Sequence, residues 1–355
     1  MPMSAPMMGP AAETARGVDQ SAAWRLLAGI AAYRRHPYER RLANPPLIWG
    51  TGETEILDYG GVAATPAASG PAVLFVPSLI NRAYVLDLAP ERSAMRFLAA
   101  QGVRPLLLDW GWPGEAERAF TLTDYTMRLE AAMAAVRDRI GGPLVLAGYC
   151  MGGLLTIAAA QRRPELVAGL ALLATPWDFH AGLDPALVTA LSRVEPLLAA
   201  AMSNGTLPID AIQTLFSLLE PGAVGAKYTA FGELDQASDR ARMFVALEDW
   251  LNDGVPLAAP VALECFRDWY GANTPMRGEW RIAGAPVEPA RLRLPVLVAV
   301  PARDRIVPPD SAMPLAEMIA GARLVRPAGG HIGMAAGSAS ETMLWRPLVD
   351  WLRGR

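Results

Sequence analysis

Leu144-Val145-Leu146-Ala147-Gly148-Tyr149-Cys150-Met151-Gly152-Gly153 is the stretch on which the fold turns. Its first six residues are apolar without alternation, the pattern of a strand buried on both faces in a parallel sheet. Glycines stand two before and two after Cys150, and residues 151–162 read as a helix. This is the G-x-S-x-G elbow pattern with cysteine as its centre, a strained strand-to-helix turn that lifts the central side chain above the sheet. The flanking glycines let strand and helix approach. A helix N-terminus favours a thiolate, and its unpaired N–H groups can hold an oxyanion, Met151 supplying the first. A free cysteine is also a common small core residue, so its partners elsewhere in the chain decide between the two readings.

Outward from the elbow, similar apolar runs bounded by turn residues recur at 72–77 (AVLFVP), 105–109 (PLLLD), 169–174 (GLALLA) and 296–301 (VLVAVP), with 323–327 a weaker one. Helical stretches at 92–101, 124–140 and 151–162 separate them. The alternation predicts a doubly wound α/β fold with a mostly parallel sheet. Residues 22–35 read as a preceding helix, and 47–51 and 53–60 as antiparallel edge strands. From about 176 to 292 the strand pattern stops. That segment holds helical stretches at 187–202, 208–219, 241–252 and 261–269, and loops of such length seldom lack structure of their own. The expected organisation is therefore an α/β core of 21–175 and 292–355, an inserted and largely helical cap over 176–291, and a disordered arm over 1–20, rich in Pro, Met, Ala and Gly.

Composition narrows the function classes. Of 355 residues, 52% are hydrophobic and 19% charged, which excludes a disordered chain. A net charge of −3 and a pI near 5.8 argue against a nucleic-acid binder. Two cysteines cannot build a disulfide framework, and with three histidines they leave few soft ligands, so no metal is expected. The mean hydropathy of +0.21 is high and raises the question of a membrane. The best candidate span, 154–175, is broken by Gln161, Arg162, Arg163, Pro164 and Glu165. The first 20 residues lack the basic and apolar regions of a secretory signal. The expectation is a cytoplasmic protein with no membrane span.

The elbow implies the chain order nucleophile, acid, histidine. The run at 296–301 leads into Ala302-Arg303-Asp304-Arg305-Ile306-Val307-Pro308-Pro309, placing Asp304 just past the end of a buried strand, where a triad acid belongs. After the next strand, Ala328-Gly329-Gly330-His331-Ile332-Gly333 puts His331 on a glycine-flanked loop. Three matches of position and order point to a Cys150–Asp304–His331 triad. Asp310 is the competing acid, beyond two prolines. His36 lies in a polar run and reads as solvated. His180 opens the cap, where a satisfied structural histidine and a residue lining the site are both open readings. Cys265 reads as core. Asn81, in the loop after the first central strand (Val76-Pro77-Ser78-Leu79-Ile80-Asn81-Arg82), either lends its amide to the oxyanion or fixes the loop.

At this point the residues resemble the polyhydroxyalkanoate synthases, especially the short two-subunit class III type. Gly148-Tyr149-Cys150-Met151-Gly152-Gly153 resembles their cysteine lipase box. Residues 76–88 (VPSLINRAYVLDL), 108–113 (LDWGWP) with 122–125 (LTDY), 175–179 (TPWDF), 276–284 (MRGEWRIAG) and 330–333 (GHIG) are similar to further motifs of that family. The likeness spans roughly 45–350 and implies the α/β-hydrolase fold. Two departures lie near the site: Arg305 stands where a histidine usually follows the triad acid, and Ser78-Leu79 replace a more typical Pro-Trp pair. The long N-terminal region of the single-subunit synthases is missing, as in the short type. The resemblance implies a 3-hydroxyacyl-coenzyme A substrate of short chain, such as 3-hydroxybutyryl-coenzyme A, a polyester granule as the cellular setting, a second synthase subunit or self-assembly, and no cofactor beyond the thioester substrate itself.

Cysteine suits that chemistry. Moving an acyl group from coenzyme A to Cys150 exchanges one thioester for another, so the acyl group stays activated for attack by a hydroxyl. The alternative with the same triad is hydrolysis, as in a thioesterase, a dienelactone-hydrolase-like enzyme or a polyester depolymerase. A non-enzymatic granule protein would not require all three residues. The resemblance also implies that part of the high hydropathy serves an apolar product, with Phe216, Phe231, Phe244, Trp250, Phe266, Trp269 and Tyr270 of the cap as the expected apolar surface.

Overall fold

The computed structural model describes residues 11–62, 70–194, 196, 201–219 and 222–354. They fall into two compact units: Arg41–Phe216 with Trp250–Arg355, and the chain up to Arg40 with Ser217–Asp249.

The larger unit is built on an eight-stranded sheet of β1 (Leu47–Thr51), β2 (Thr54–Asp58), β3 (Ala72–Val76), β4 (Arg104–Asp109), β5 (Leu144–Tyr149), β6 (Val167–Leu173), β7 (Val296–Ala299) and β8 (Arg323–Val325). Their order across the sheet is β1-β2-β4-β3-β5-β6-β7-β8. The first two pairings, β1 with β2 and β2 with β4, are antiparallel, and the other five are parallel. This is the expected mostly parallel sheet with an antiparallel edge. β5 is buried at all six positions in mid-sheet, which is why its sequence shows no alternation.

Alternate residues serve opposite faces. Leu74, Val76, Leu106, Leu108 and Leu146 pack in one cluster with the helices Leu122–Ile140 and Met151–Arg162. Phe75, Tyr149 and Leu173 face Leu98, Met334 and Trp345 on the other side. The helix Leu122–Ile140 starts two residues before its predicted onset. Thr121 and Asp124 form a reciprocal capping box, and Gly141 at φ 81° closes its end.

Between β6 and β7 the predicted helices appear at Pro185–Ser192, Ile209–Leu219, Asp239–Asn252 and Ala259–Glu264, the last running into a π-helical turn, Cys265–Gly271. The predicted stretch 187–202 is seen only as far as Ser192; residues 195 and 197–200 lie outside the described residues. Two short ladders, 206–207 with 257–258 and 281–282 with 285–286, were not legible as strands. The segment 176–291 is thus shared between the two units.

The smaller unit contains α1 (Ala11–Arg35) and the helix Ala223–Gly232. A β-carbon on Gly29 would sit 1.9 Å from the carbonyl oxygen of Tyr228, so the two helices meet at a distance only glycine permits. Phe231 stacks on Phe244 at 4.3 Å and is 1% exposed. Glu248, also buried, takes Lys227 Nζ at 2.8 Å and the Tyr228 hydroxyl at 2.9 Å.

Three expectations need correction. Of the arm expected to be disordered over 1–20, residues 1–10 lie outside the described residues, but 11–20 are helical, since Ala, Glu, Arg and Gln there are good helix formers that extend α1. His36 is not merely solvated: Nε2 lies 3.0 Å from the Gln236 carbonyl oxygen and Nδ1 accepts the Tyr38 N–H. Of the seven aromatics expected to make an apolar surface, Phe216, Phe244 and Tyr270 are half-buried and four are not at the surface. Phe231, Trp250, Phe266 and Trp269 are buried, because large rings find partners in packing before they are left in water.

Candidate active site

Cys150 stands at the carboxyl end of β5 with φ 56° and ψ −126°, a conformation costly for a residue with a side chain. Its N–H is held by the Leu173 carbonyl oxygen of the neighbouring strand at 2.9 Å. The glycines around it are required by space. A β-carbon on Gly152 would fall 2.1 Å from the Val76 carbonyl oxygen, and one on Gly148 would fall 2.4 Å from the α-carbon of Gly153. Met151 is the first residue of the helix that follows, where a backbone N–H has no intrahelical acceptor.

The two predicted partners come together. His331 Nδ1 lies 2.7 Å from Asp304 Oδ2, both residues buried. The other carboxylate oxygen accepts the N–H groups of Ile306 at 2.9 Å and Val307 at 2.8 Å, which fixes the rotamer of Asp304. The Cys150 side chain acts electrostatically on the His331 ring. Burial works against a charged imidazole here, but the negative charge of Cys150, the hydrogen bond the ring gives to Asp304 and the charge of Asp304 outweigh it and push His331 up to about 10.

Asp310 is not joined to His331. It is exposed in the first turn of the helix Pro309–Met318. His180 is a structural link, its Nε2 lying 2.8 Å from the Tyr270 carbonyl oxygen. Cys265 is buried, and that burial pushes its thiol well up, as suits a core residue. Asn81 forms an isolated antiparallel bridge with Gly254, and the Ile80 carbonyl oxygen accepts the Val255 N–H at 2.9 Å. The loop is anchored at its other end by Trp110 Nε1, which donates to the Pro77 carbonyl oxygen at 3.0 Å.

Two groups at the site escaped the sequence reading. Tyr149 stacks on the His331 ring at 5.1 Å, and its hydroxyl donates to the His331 carbonyl oxygen at 3.2 Å. Burial first, then the charges of Cys150 and Asp304, push its phenol far up, so it remains a donor. Its place directly before the nucleophile was the available signal. The second group is a clamp. Asp178 Oδ1 accepts the N–H groups of His180 and Ala181 and the Asn273 side-chain amide, while Asn273 Oδ1 accepts the N–H of Phe179 at 3.0 Å. Phe179 in turn stacks on Trp269 and meets Tyr270 edge-on, both at 5.2 Å. No pattern in the sequence links positions 95 residues apart.

Known proteins resemble this chain in sequence and in fold. A sequence model of the alpha/beta hydrolase fold matches residues 71–336. The poly(3-hydroxyalkanoate) polymerase subunit PhaC of Haloferax mediterranei is 32% identical over 291 residues, covering 80% of this chain and 58% of that one. The subunit of the same name from Allochromatium vinosum is 28% identical over 313 residues, covering 87% of this chain and 88% of its own. This chain therefore spans little more than half of the first relative and most of the second. Among solved structures, a bromoperoxidase from Bacillus anthracis superposes with a TM-score of 0.55 at 13% identity, over 89% of this chain and all of that one, a likeness of fold.

Proposed function

Since the chain belongs to the α/β-hydrolase fold family, we propose that it is a poly(3-hydroxyalkanoate) polymerase that transfers 3-hydroxyacyl groups from coenzyme A to a growing polyester through Cys150. The observation that carries this reading is a strained elbow cysteine whose charge acts on the hydrogen-bonded His331–Asp304 pair, in a chain 32% identical to a polymerase subunit. In the proposed cycle the Cys150 sulfur attacks the thioester carbonyl, and the Met151 N–H stabilises the oxyanion. Asn81 either adds its amide or holds the loop that completes the hole. As the tetrahedral intermediate collapses, coenzyme A leaves with the proton that His331 had held. The acyl-enzyme no longer carries the charge that raised His331, so the ring is left as a neutral base. It then takes the proton of a hydroxyl from the chain end or a second unit, which attacks the Cys150 thioester; the carbon–sulfur bond breaks, the ester forms, and the Cys150 sulfur is released beside the protonated His331 for the next round. Asp304 orients His331 throughout.

The cycle balances without a metal or cofactor. No described helix is long and apolar enough to cross a membrane; a place at the surface of a polyester granule, association with a second subunit and a cap role for 176–291 belong to the same proposal. A cap supports transfer over hydrolysis, because excluding water protects the acyl-enzyme. The test is incubation of the purified protein with 3-hydroxybutyryl-coenzyme A. Release of coenzyme A together with insoluble polyester is expected, whereas release with free 3-hydroxybutyrate alone would make the protein a hydrolase.

A further inference from the structure

Asp304 is 4% exposed, yet the residues on both sides of it, Arg303 and Arg305, are exposed. The Asp304 carboxylate turns inward to His331 and to the N–H groups of Ile306 and Val307. Arg303 is tied to the loop that carries His331. Its N–H donates to the Gly329 carbonyl oxygen at 3.1 Å, and its Nε to the Ala328 carbonyl oxygen at 2.7 Å. The two arginines follow β7 at the carboxyl end of the sheet, the end at which Cys150 follows β5 and at which such folds bind ligands.

We infer that Arg303 and Arg305 dock the phosphate groups of the thioester substrate at the mouth of the site, with Arg303 also positioning the His331 loop. This rests on the reading that the substrate is an acyl-coenzyme A. A 3-hydroxyacyl group and its polyester are uncharged, so only the coenzyme portion calls for cations, and a guanidinium fork matches phosphate oxygens in pairs. The one lysine of the chain, Lys227, is paired with Glu248 in the smaller unit, which leaves this task to arginine. Arg305 is also one of the two places near the site at which the sequence departs from the family it resembles, a change from a titrating ring to a permanent charge.

Two measurements test the assignment. The first is calorimetric titration of the protein with adenosine 3′,5′-bisphosphate, which carries phosphates and no thioester. The wild type should bind it, and Arg303→Gln/Arg305→Gln should bind roughly tenfold or more weakly, as for lost charge-assisted hydrogen bonds, while Arg305→Lys keeps most of the affinity. The second is the ratio of kcat/KM for 3-hydroxybutyryl-coenzyme A to that for 3-hydroxybutyryl-pantetheine, which should fall by about tenfold or more in the double variant. Wild-type protein that does not bind the bisphosphate, or a double variant within about twofold of wild type in both affinity and ratio, overturns the inference. Bisphosphate binding that weakens in a protein that makes no polyester would keep the arginine site and remove the polymerase reading.

Discussion

At Cys150 a backbone strained to φ 56° presents the sulfur above the sheet, and its charge is the largest cause that raises His331. Replacing Cys150 with Ala removes the nucleophile, so coenzyme A release should fall by at least ~10³-fold. The same substitution removes the charge that does most to raise His331. With only three histidines in the chain, the ring resonances can be followed by NMR. His331 should titrate near 10 in the wild type and at least one unit lower in Cys150→Ala; an unmoved midpoint would show that Cys150 does not govern it. The sign for stability follows. The folded value lies above the ordinary 6.5, so the charged ring stabilises the fold fully below about pH 6.5, and this contribution is lost as the pH rises toward 10. The Tm of the wild type should therefore drop more over that range than the Tm of His331→Gln, measured by calorimetry.

Among the elements, the segment leaving β6 depends on the clamp between Asp178 and Asn273. Asn273 sits at φ 51°, a conformation asparagine tolerates better than most residues, and it satisfies the buried N–H of Phe179. Asn273→Ala leaves that N–H unpaired and should cost about 1–3 kcal/mol in urea unfolding. Asp178→Ala should cost a similar amount. Because the two side chains bond each other, the double variant should fall short of the sum by at least about 0.5 kcal/mol, and strict additivity would disprove the clamp. The motif at 175–179 drew attention to Asp178, but its partner could not be read: a hydrogen bond between residues 178 and 273 leaves no periodicity in either stretch.

On the scale of the whole molecule, the larger unit holds a sheet buried on both faces, whereas the core of the smaller one centres on Phe231, Ala241 and Val245. Regions with few buried apolar residues open more readily than central strands. Hydrogen exchange followed by mass spectrometry should find the amides of 223–249 exchanging at least about tenfold faster than those of 144–149 and 167–173. Equal protection would mean that the two units unfold as one.

The strands of the main sheet, the elbow, the acid and the histidine were legible in the sequence, because each depends on a local pattern: an unbroken apolar run for a strand covered on both faces, glycines where backbone must approach backbone, and a polar residue just past a strand end. The chain's similarity to the alpha/beta hydrolase fold family and to polymerase subunits agrees with the resemblance read from those motifs. What the sequence could not decide was which distant groups meet. The stacking of Tyr149 on His331, the clamp on Asn273, the packing of the aromatics of 216–270 and the division of the helical segment between two units come from contacts across tens to hundreds of residues. Such contacts are selected by volume and hydrogen-bond geometry in three dimensions, and these are properties that only the folded chain possesses.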